Sequence, residues 1–149
     1  DIYTIQQNYI LAIRRKKTGM MFQSQYLLLG VSTYENLPVA SILSGEKIDE
    51  HRLEMVGIPE TLNKKVGSLS GGQQQRLSIA RILTKKPQII FADEPTGNLD
   101  RETAFNVMET LFSYTKSTNS LLIFVTHDPL LAKKATRAYK LENTALNPL

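Results

Sequence analysis

The sequence contains no cysteine and no tryptophan. Without thiols it can form no disulfide scaffold, no thiolate metal site and no cysteine nucleophile. Long apolar runs are missing too. The longest are short blocks such as Leu121-Leu122-Ile123-Phe124-Val125, whereas a bilayer-spanning helix needs roughly 20 apolar residues. Charge of one sign is also scarce: 18 Lys and Arg stand against 14 Asp and Glu, a net +4. The basic residues form small clusters, Arg14-Arg15-Lys16-Lys17, Lys64-Lys65, Lys85-Lys86 and Lys133-Lys134. They are not interleaved with aromatics and read as solvated surface, which argues against a nucleic-acid groove. An initiator Met is absent. The chain begins at Asp1 with no signal-like segment before it, and is read as a piece or processed product of a longer sequence. What is present, 149 residues with 42% hydrophobic and 21% charged, suits one ordinary globular domain.

The second half carries the clearest order. Gln88–Ala92 is an apolar run too brief for a helix and follows Pro87, so it reads as a buried strand. A polar turn, Asp93-Glu94-Pro95-Thr96-Gly97-Asn98, comes next. Val107, Met108, Leu111 and Phe112 then recur at helical spacing between Arg101 and Lys116. Leu121–Val125 is a second strand. Strand, helix and strand make a βαβ unit, and hence a parallel sheet covered on both faces. Gly19-Met20-Met21-Phe22 is a third strand. Tyr34 to Leu62 holds short helical patterns broken by Pro38, Gly45, Gly57 and Pro59, a small helical insertion beside the sheet. Gln73 to Lys86 is a strong helix ended by Pro87. The expected division is a sheet-bearing core over residues 1–23 and 73–149, with a helical subdomain over 24–72.

In open parallel sheets, ligands bind beyond the carboxyl ends of the strands. Gln23 follows the first strand, Asp93 and Glu94 the second, and Thr126, His127 and Asp128 the third. Side chains alternate at a strand end, so Asp93 and Glu94 should point apart. One can hold Mg²⁺ with waters and phosphates, while the other orients or deprotonates an attacking water. Alone, the pair reads more readily as a solvated turn. Leu69-Ser70-Gly71-Gly72-Gln73-Gln74-Gln75-Arg76 is the second constellation. Ser70 and Gln73 have capping-box spacing. The two glycines let backbone N–H groups approach an anion at a helix N-terminus. An ordinary glycine-rich cap would look the same.

Together these segments resemble the ATP-binding-cassette ATPases. Leu69 to Arg76 resembles the signature motif, and Ile89-Ile90-Phe91-Ala92-Asp93-Glu94-Pro95 the Walker B strand with its catalytic glutamate. Asn98-Leu99-Asp100 resembles the D-loop, Thr126-His127-Asp128 the switch-histidine region and Met21-Phe22-Gln23 the Q-loop. Five motifs in family order cover most of the chain. Asp93 to Asp100, with Tyr34-Glu35-Asn36-Leu37, resembles the bacterial branch serving lipoprotein release, macrolide-type efflux, peptide-antibiotic export and cell division.

The resemblance implies an α/β fold: a P-loop NTPase-type parallel sheet with a small helical subdomain, truncated at the N-terminus. It implies ATP and Mg²⁺ as ligands. Asp93 would hold Mg²⁺, with Gln23 sensing the metal and the attacking water. Glu94 would be the general base, and His127 would contact the γ-phosphate. Ser70, Gly71, Gly72 and Gln73 would bind ATP held mainly by a second ATPase subunit, and Asp100 would act at that interface or cap the following helix. A transmembrane permease subunit is the other implied partner, with the protein peripheral on the cytoplasmic membrane face.

One element of the pattern is not in the sequence. A P-loop needs Gly-x-x-x-x-Gly-Lys-Ser/Thr. Gly67 and Gly72 have the glycine spacing, but Gln73-Gln74 follows. The expectation is a chain that by itself binds MgATP weakly, hydrolyses little and is prone to associate through exposed strand edges. Two other readings stay open. A cassette ATPase of DNA repair or translation would carry a coiled-coil insertion between Gln23 and Ser70, or a second cassette. A non-catalytic interaction module would present Ser70–Gln73 to a partner ATPase.

Overall fold

A computed structural model describes residues 4–97 and 99–149. Residues 1–3 of the expected core segment, and Asn98 of the Asn98-Leu99-Asp100 segment, lie outside the described residues. Three apolar runs become parallel strands: β1 (Thr18–Met21), β2 (Ile89–Asp93) and β3 (Leu121–Val125), in the order β1-β2-β3. The register aligns Gly19, Ile90 and Leu122 across the sheet, and likewise Met21, Ala92 and Phe124. Because strand side chains alternate, these six share one face.

That face is covered by two helices. α5 (Gly71–Thr84) packs on β1 and α6 (Arg101–Thr118) on β3. A Cβ on Gly19 would lie 2.4 Å from the Ile82 Cγ2 methyl, so β1 can approach α5 this closely only with glycine there. Phe112 of α6 meets Phe124 edge-on, with ring centroids 6.0 Å apart. The opposite face carries Met20, Phe91 and Ile123, which stay 53%, 39% and 46% exposed. The sequence predicts cover on both faces. Among the described residues both long helices lie on the same side, and the second face is bare.

Element ends differ from expectation by one or two residues, each for a local reason. α5 begins at Gly71 because Ser70 is its N-cap: Ser70 Oγ accepts from the Gln73 N–H at 3.3 Å, and Gln73 Oε1 accepts from the Ser70 N–H at 3.0 Å. It ends at Thr84, with Lys86 turned to φ 49° ahead of Pro87, since a residue before proline avoids the helical region. β2 ends at Asp93, so this carboxylate belongs to the strand and Glu94 opens the turn.

Between β1 and α5 the chain forms three short α-helices, α2 (Thr33–Asn36), α3 (Pro38–Ser44) and α4 (Glu50–Met55). Upstream of β1 lies α1 (Gln7–Lys16). Gly45 closes α3 at φ 78°. Asn36 is fully buried; its side chain accepts from the Leu28 N–H and donates to the Leu28 and Ser32 carbonyls. The buried cluster runs from Leu37, Leu53, Ile58 and Val66 into Leu77, Ile79, Leu83, Ile90, Met108 and Leu111. It thus ties the short helices to the sheet. After β3 come α7 (Pro129–Ala132) and an exposed hairpin of β4 (Tyr139–Glu142) and β5 (Ala145–Pro148). Among the described residues no helix is long and apolar enough to cross a membrane.

Candidate active site at the carboxyl edge of the sheet

Parallel pairing sends the carboxyl ends of all three strands to one edge, so residues remote in sequence meet there. An open cleft of about 540 Å³ is lined by Gln23, Glu94, Thr96, Gly97, His127 and Asp128, among others. Three of the expected residues, Gln23, Glu94 and His127, are therefore brought together. Asp93 does not line the cleft. It is the exposed last residue of β2, whereas Glu94 lies past the strand, in the turn that follows.

Glu94 sits in an unusual conformation. Its φ is 44°, in the left-handed region that a non-glycine residue enters at a cost of about 1–3 kcal/mol. The surrounding backbone holds it. The Glu94 N–H donates to the Val125 carbonyl at 3.1 Å, and the Gly97 N–H donates back to the Glu94 carbonyl at 3.2 Å. The side chain is 20% exposed, and His127, 97% exposed, brings Nε2 to 3.2 Å from Glu94 Oε1. The contact is close but not aligned as a hydrogen bond, so Oε1 is buried without a hydrogen-bond partner. Such an acceptor is costly to leave unmade. It is well suited to receive a proton or a water.

Gln23 reaches this turn from β1. A Cβ on Gly97 would stand 3.1 Å from Gln23 Nε2, so the missing side chain at 97 is what lets the amide lie against the turn. Asp100 caps α6: its Oδ1 accepts from the Thr103 N–H at 2.9 Å. Hydrogen bonds from Thr103 hold its carboxyl below the usual carboxylate range.

Ser70, Gly71, Gly72 and Gln73 stand apart from the cleft, at the outward N-terminus of α5. They connect to it indirectly. A Cβ on Gly72 would lie 2.8 Å from Thr103 Cγ2, so the two helix starts are in tight contact. One residue escaped the sequence reading. Gln75 is 2% exposed, and its Nε2 donates to the Pro95 carbonyl at 2.6 Å. Its signal was there: Gln75, Ile79 and Ile82 keep the spacing of a buried helical stripe, in which a polar member needs a partner.

The description "ABC transporter" matches residues 3–97. Over 140 residues the chain is 39% identical to the uncharacterized ABC transporter ATP-binding protein YbbA of Escherichia coli K12, covering 90% of this chain and 61% of that protein. It is 38% identical over 143 residues to the lipoprotein-releasing system ATP-binding protein LolD of Bordetella pertussis, covering 92% and 62%. The chain thus spans about six-tenths of the length of these relatives. Among solved structures it resembles the ATP-binding cassette MJ0796, a dimer in a post-hydrolysis state bound to ADP and Pi. The TM-score is 0.82 at 31% identity, over 96% of this chain and 66% of that one. With an α/β fold of the cassette ATPases and a family match over most of its length, this chain belongs to the ABC transporter family.

Proposed function

We propose that these residues are part of the ATP-hydrolysing subunit of a bacterial ABC exporter. The observation that carries this is the cleft in which Glu94, with its unpartnered buried oxygen, faces His127 and Gln23. Phosphoryl transfer to water asks for positioning and charge neutralisation more than covalent chemistry. Glu94 Oε1 is the acceptor for a proton of the attacking water. His127, on the open side of the cleft, is placed to donate toward a phosphate oxygen. Gln23 orients the water with its amide.

The donor set fits the expected ligands. Gln23 lines the cleft and Asp93 is an exposed carboxylate at the carboxyl end of β2, and Mg²⁺ needs only one or two carboxylates when phosphates and waters complete its shell. Asp93, with Gln23, would hold it; when bound, the ion neutralises charge on the transferring phosphate. Ser70 and Gln73 engage each other's N–H groups in the capping box, which leaves the Gly71 and Gly72 N–H groups at the helix N-terminus to face nucleotide held by a second ATPase subunit. Asp100 lies at the same interface. MJ0796 being a dimer supports this. The 149 residues contain no Gly-x-x-x-x-Gly-Lys-Ser/Thr sequence, so this stretch alone would bind MgATP weakly and be inactive. Likeness to a lipoprotein-releasing ATP-binding protein supports export, docking on a transmembrane permease and a place on the cytoplasmic membrane face. Nothing in the charge pattern supports nucleic acid as a partner.

Glu94→Gln tests the reading in the transporter assembled with its permease. Removing a general base lowers kcat by about 10²–10⁴-fold, with MgATP binding retained. Hydrolysis within about twofold of the parent would overturn it.

A further inference from the structure

We propose that Gln75 is a positioning residue: it holds the Glu94–Gly97 turn, and through it the Glu94 carboxylate, to the helix that begins with Ser70–Gln73. The inference rests on the reading of Glu94 as the base. Gln75 lies on the buried stripe of α5, and its amide N–H donates to the Pro95 carbonyl at 2.6 Å. Pro95 is itself buried and directly follows Glu94. A second contact of the same helix bears on the same segment. Gly72, three residues before Gln75 and so on the same helix face, abuts Thr103 at the start of α6. One face of α5 therefore grips the Asp93–Thr103 segment at two points. From the other side, Gln23 rests on Gly97.

The turn needs such a grip. Glu94 is held at φ 44°, and strained backbone persists only where its surroundings over-determine it. The Gln75 side chain is a poor device for stability alone. Its Oε1 is buried with no hydrogen-bond partner, a cost that offsets much of the bond made by Nε2. An apolar side chain of the same length would pack there without the orphaned oxygen. The donor matters because it fixes the Pro95 carbonyl, and with it the direction in which Glu94 leaves β2. Rearrangement at Ser70–Gln73 would then be felt at Glu94 through one helical turn and one hydrogen bond.

The experiment compares Gln75→Met and Gln75→Glu with the parent. Met keeps the length without the donor; Glu keeps the shape but faces the Pro95 carbonyl with an acceptor. Hydrogen exchange on the 149-residue chain reads the turn directly, through the Gly97 and Leu99 amides that donate to Glu94 and Thr96. In Gln75→Met these two exchange about tenfold faster or more while core amides and Tm stay as in the parent. In the assembled transporter, kcat falls about tenfold or more, with KM for ATP within about twofold. Unchanged exchange at Gly97 and Leu99 overturns the proposal. So does a lowered Tm with faster exchange everywhere and an unaltered kcat, the signature of a merely structural residue. Failure of the parent assembly to hydrolyse ATP would defeat the reading of Glu94, and the exchange arm would then decide alone whether Gln75 holds the turn.

Discussion

Gly72 shows how one missing side chain shapes this site. A Cβ there would meet Thr103 Cγ2 at 2.8 Å, below any ordinary contact. Two effects oppose each other in Gly72→Ala. Helix propensity favours alanine by about 0.5–1 kcal/mol. Overpacking costs about 1–3 kcal/mol, and Thr103 is β-branched and fixed on a capped helix, so the clash wins. Gly72→Ala is expected to destabilise, and Thr103→Ser, which removes the offending methyl, to return about 1 kcal/mol or more of that loss. Urea unfolding of the two single variants and the double variant measures it; strict additivity would refute the contact. Serine and threonine both leave the backbone N–H that Asp100 accepts.

Helix starts organise the next level of structure. α5 begins in a capping box and α6 in an aspartate cap, and both starts lie within the segments proposed to meet a second ATPase subunit. Asp100 carries a pH dependence whose sign follows from its hydrogen bonds with Thr103. These lower its pKa in the folded chain, so the unfolded chain binds the proton more readily. The cap's contribution is full above about pH 4, the ordinary carboxyl range, and is lost as pH falls through the lower folded value. Asp100→Asn caps the helix without titrating. The urea midpoint of the parent should therefore fall more steeply than that of Asp100→Asn between about pH 4 and pH 2. Parallel curves would remove Asp100 from the acid response. Both caps were legible in sequence, Ser70 and Gln73 from their spacing and Asp100 from its place before an apolar-periodic stretch. The left-handed φ of Glu94 was not, because a glutamate carries no local preference for it. Contacts from Val125 and Gly97 impose it.

The assembled sheet has one face packed and one bare. Met20, Phe91 and Ile123 line up across β1, β2 and β3 on the open side, each more than a third exposed. A contiguous apolar patch of this kind seeks cover, and β3 pairs with β2 alone among the described strands. The 149-residue chain is thus expected to self-associate. Each large apolar side chain buried contributes about 1.5–3 kcal/mol. Phe91→Thr with Ile123→Thr should weaken association by about tenfold or more, read by sedimentation. Stability would change little, since neither side chain is in the core. Unchanged association would place the contact elsewhere.

Residue order alone was enough to give the parallel α/β class, the three strands and the meeting of Gln23, Glu94 and His127. The reason is that parallel pairing sends every strand's carboxyl end to one edge, whatever the details of packing. Packing in three dimensions settled the rest. It carried β2 one residue past the apolar run, so that Asp93 ends the strand and Glu94 opens the turn. It put both long helices on one face, which a strand apolar on both sides cannot foretell. It joined Gln75 to Pro95 and Gly72 to Thr103, contacts between segments about 20 to 30 residues apart. A local pattern specifies which way a side chain faces on its own helix or strand. Which distant atom it meets depends on how the elements dock, and that is decided by the burial of the whole core.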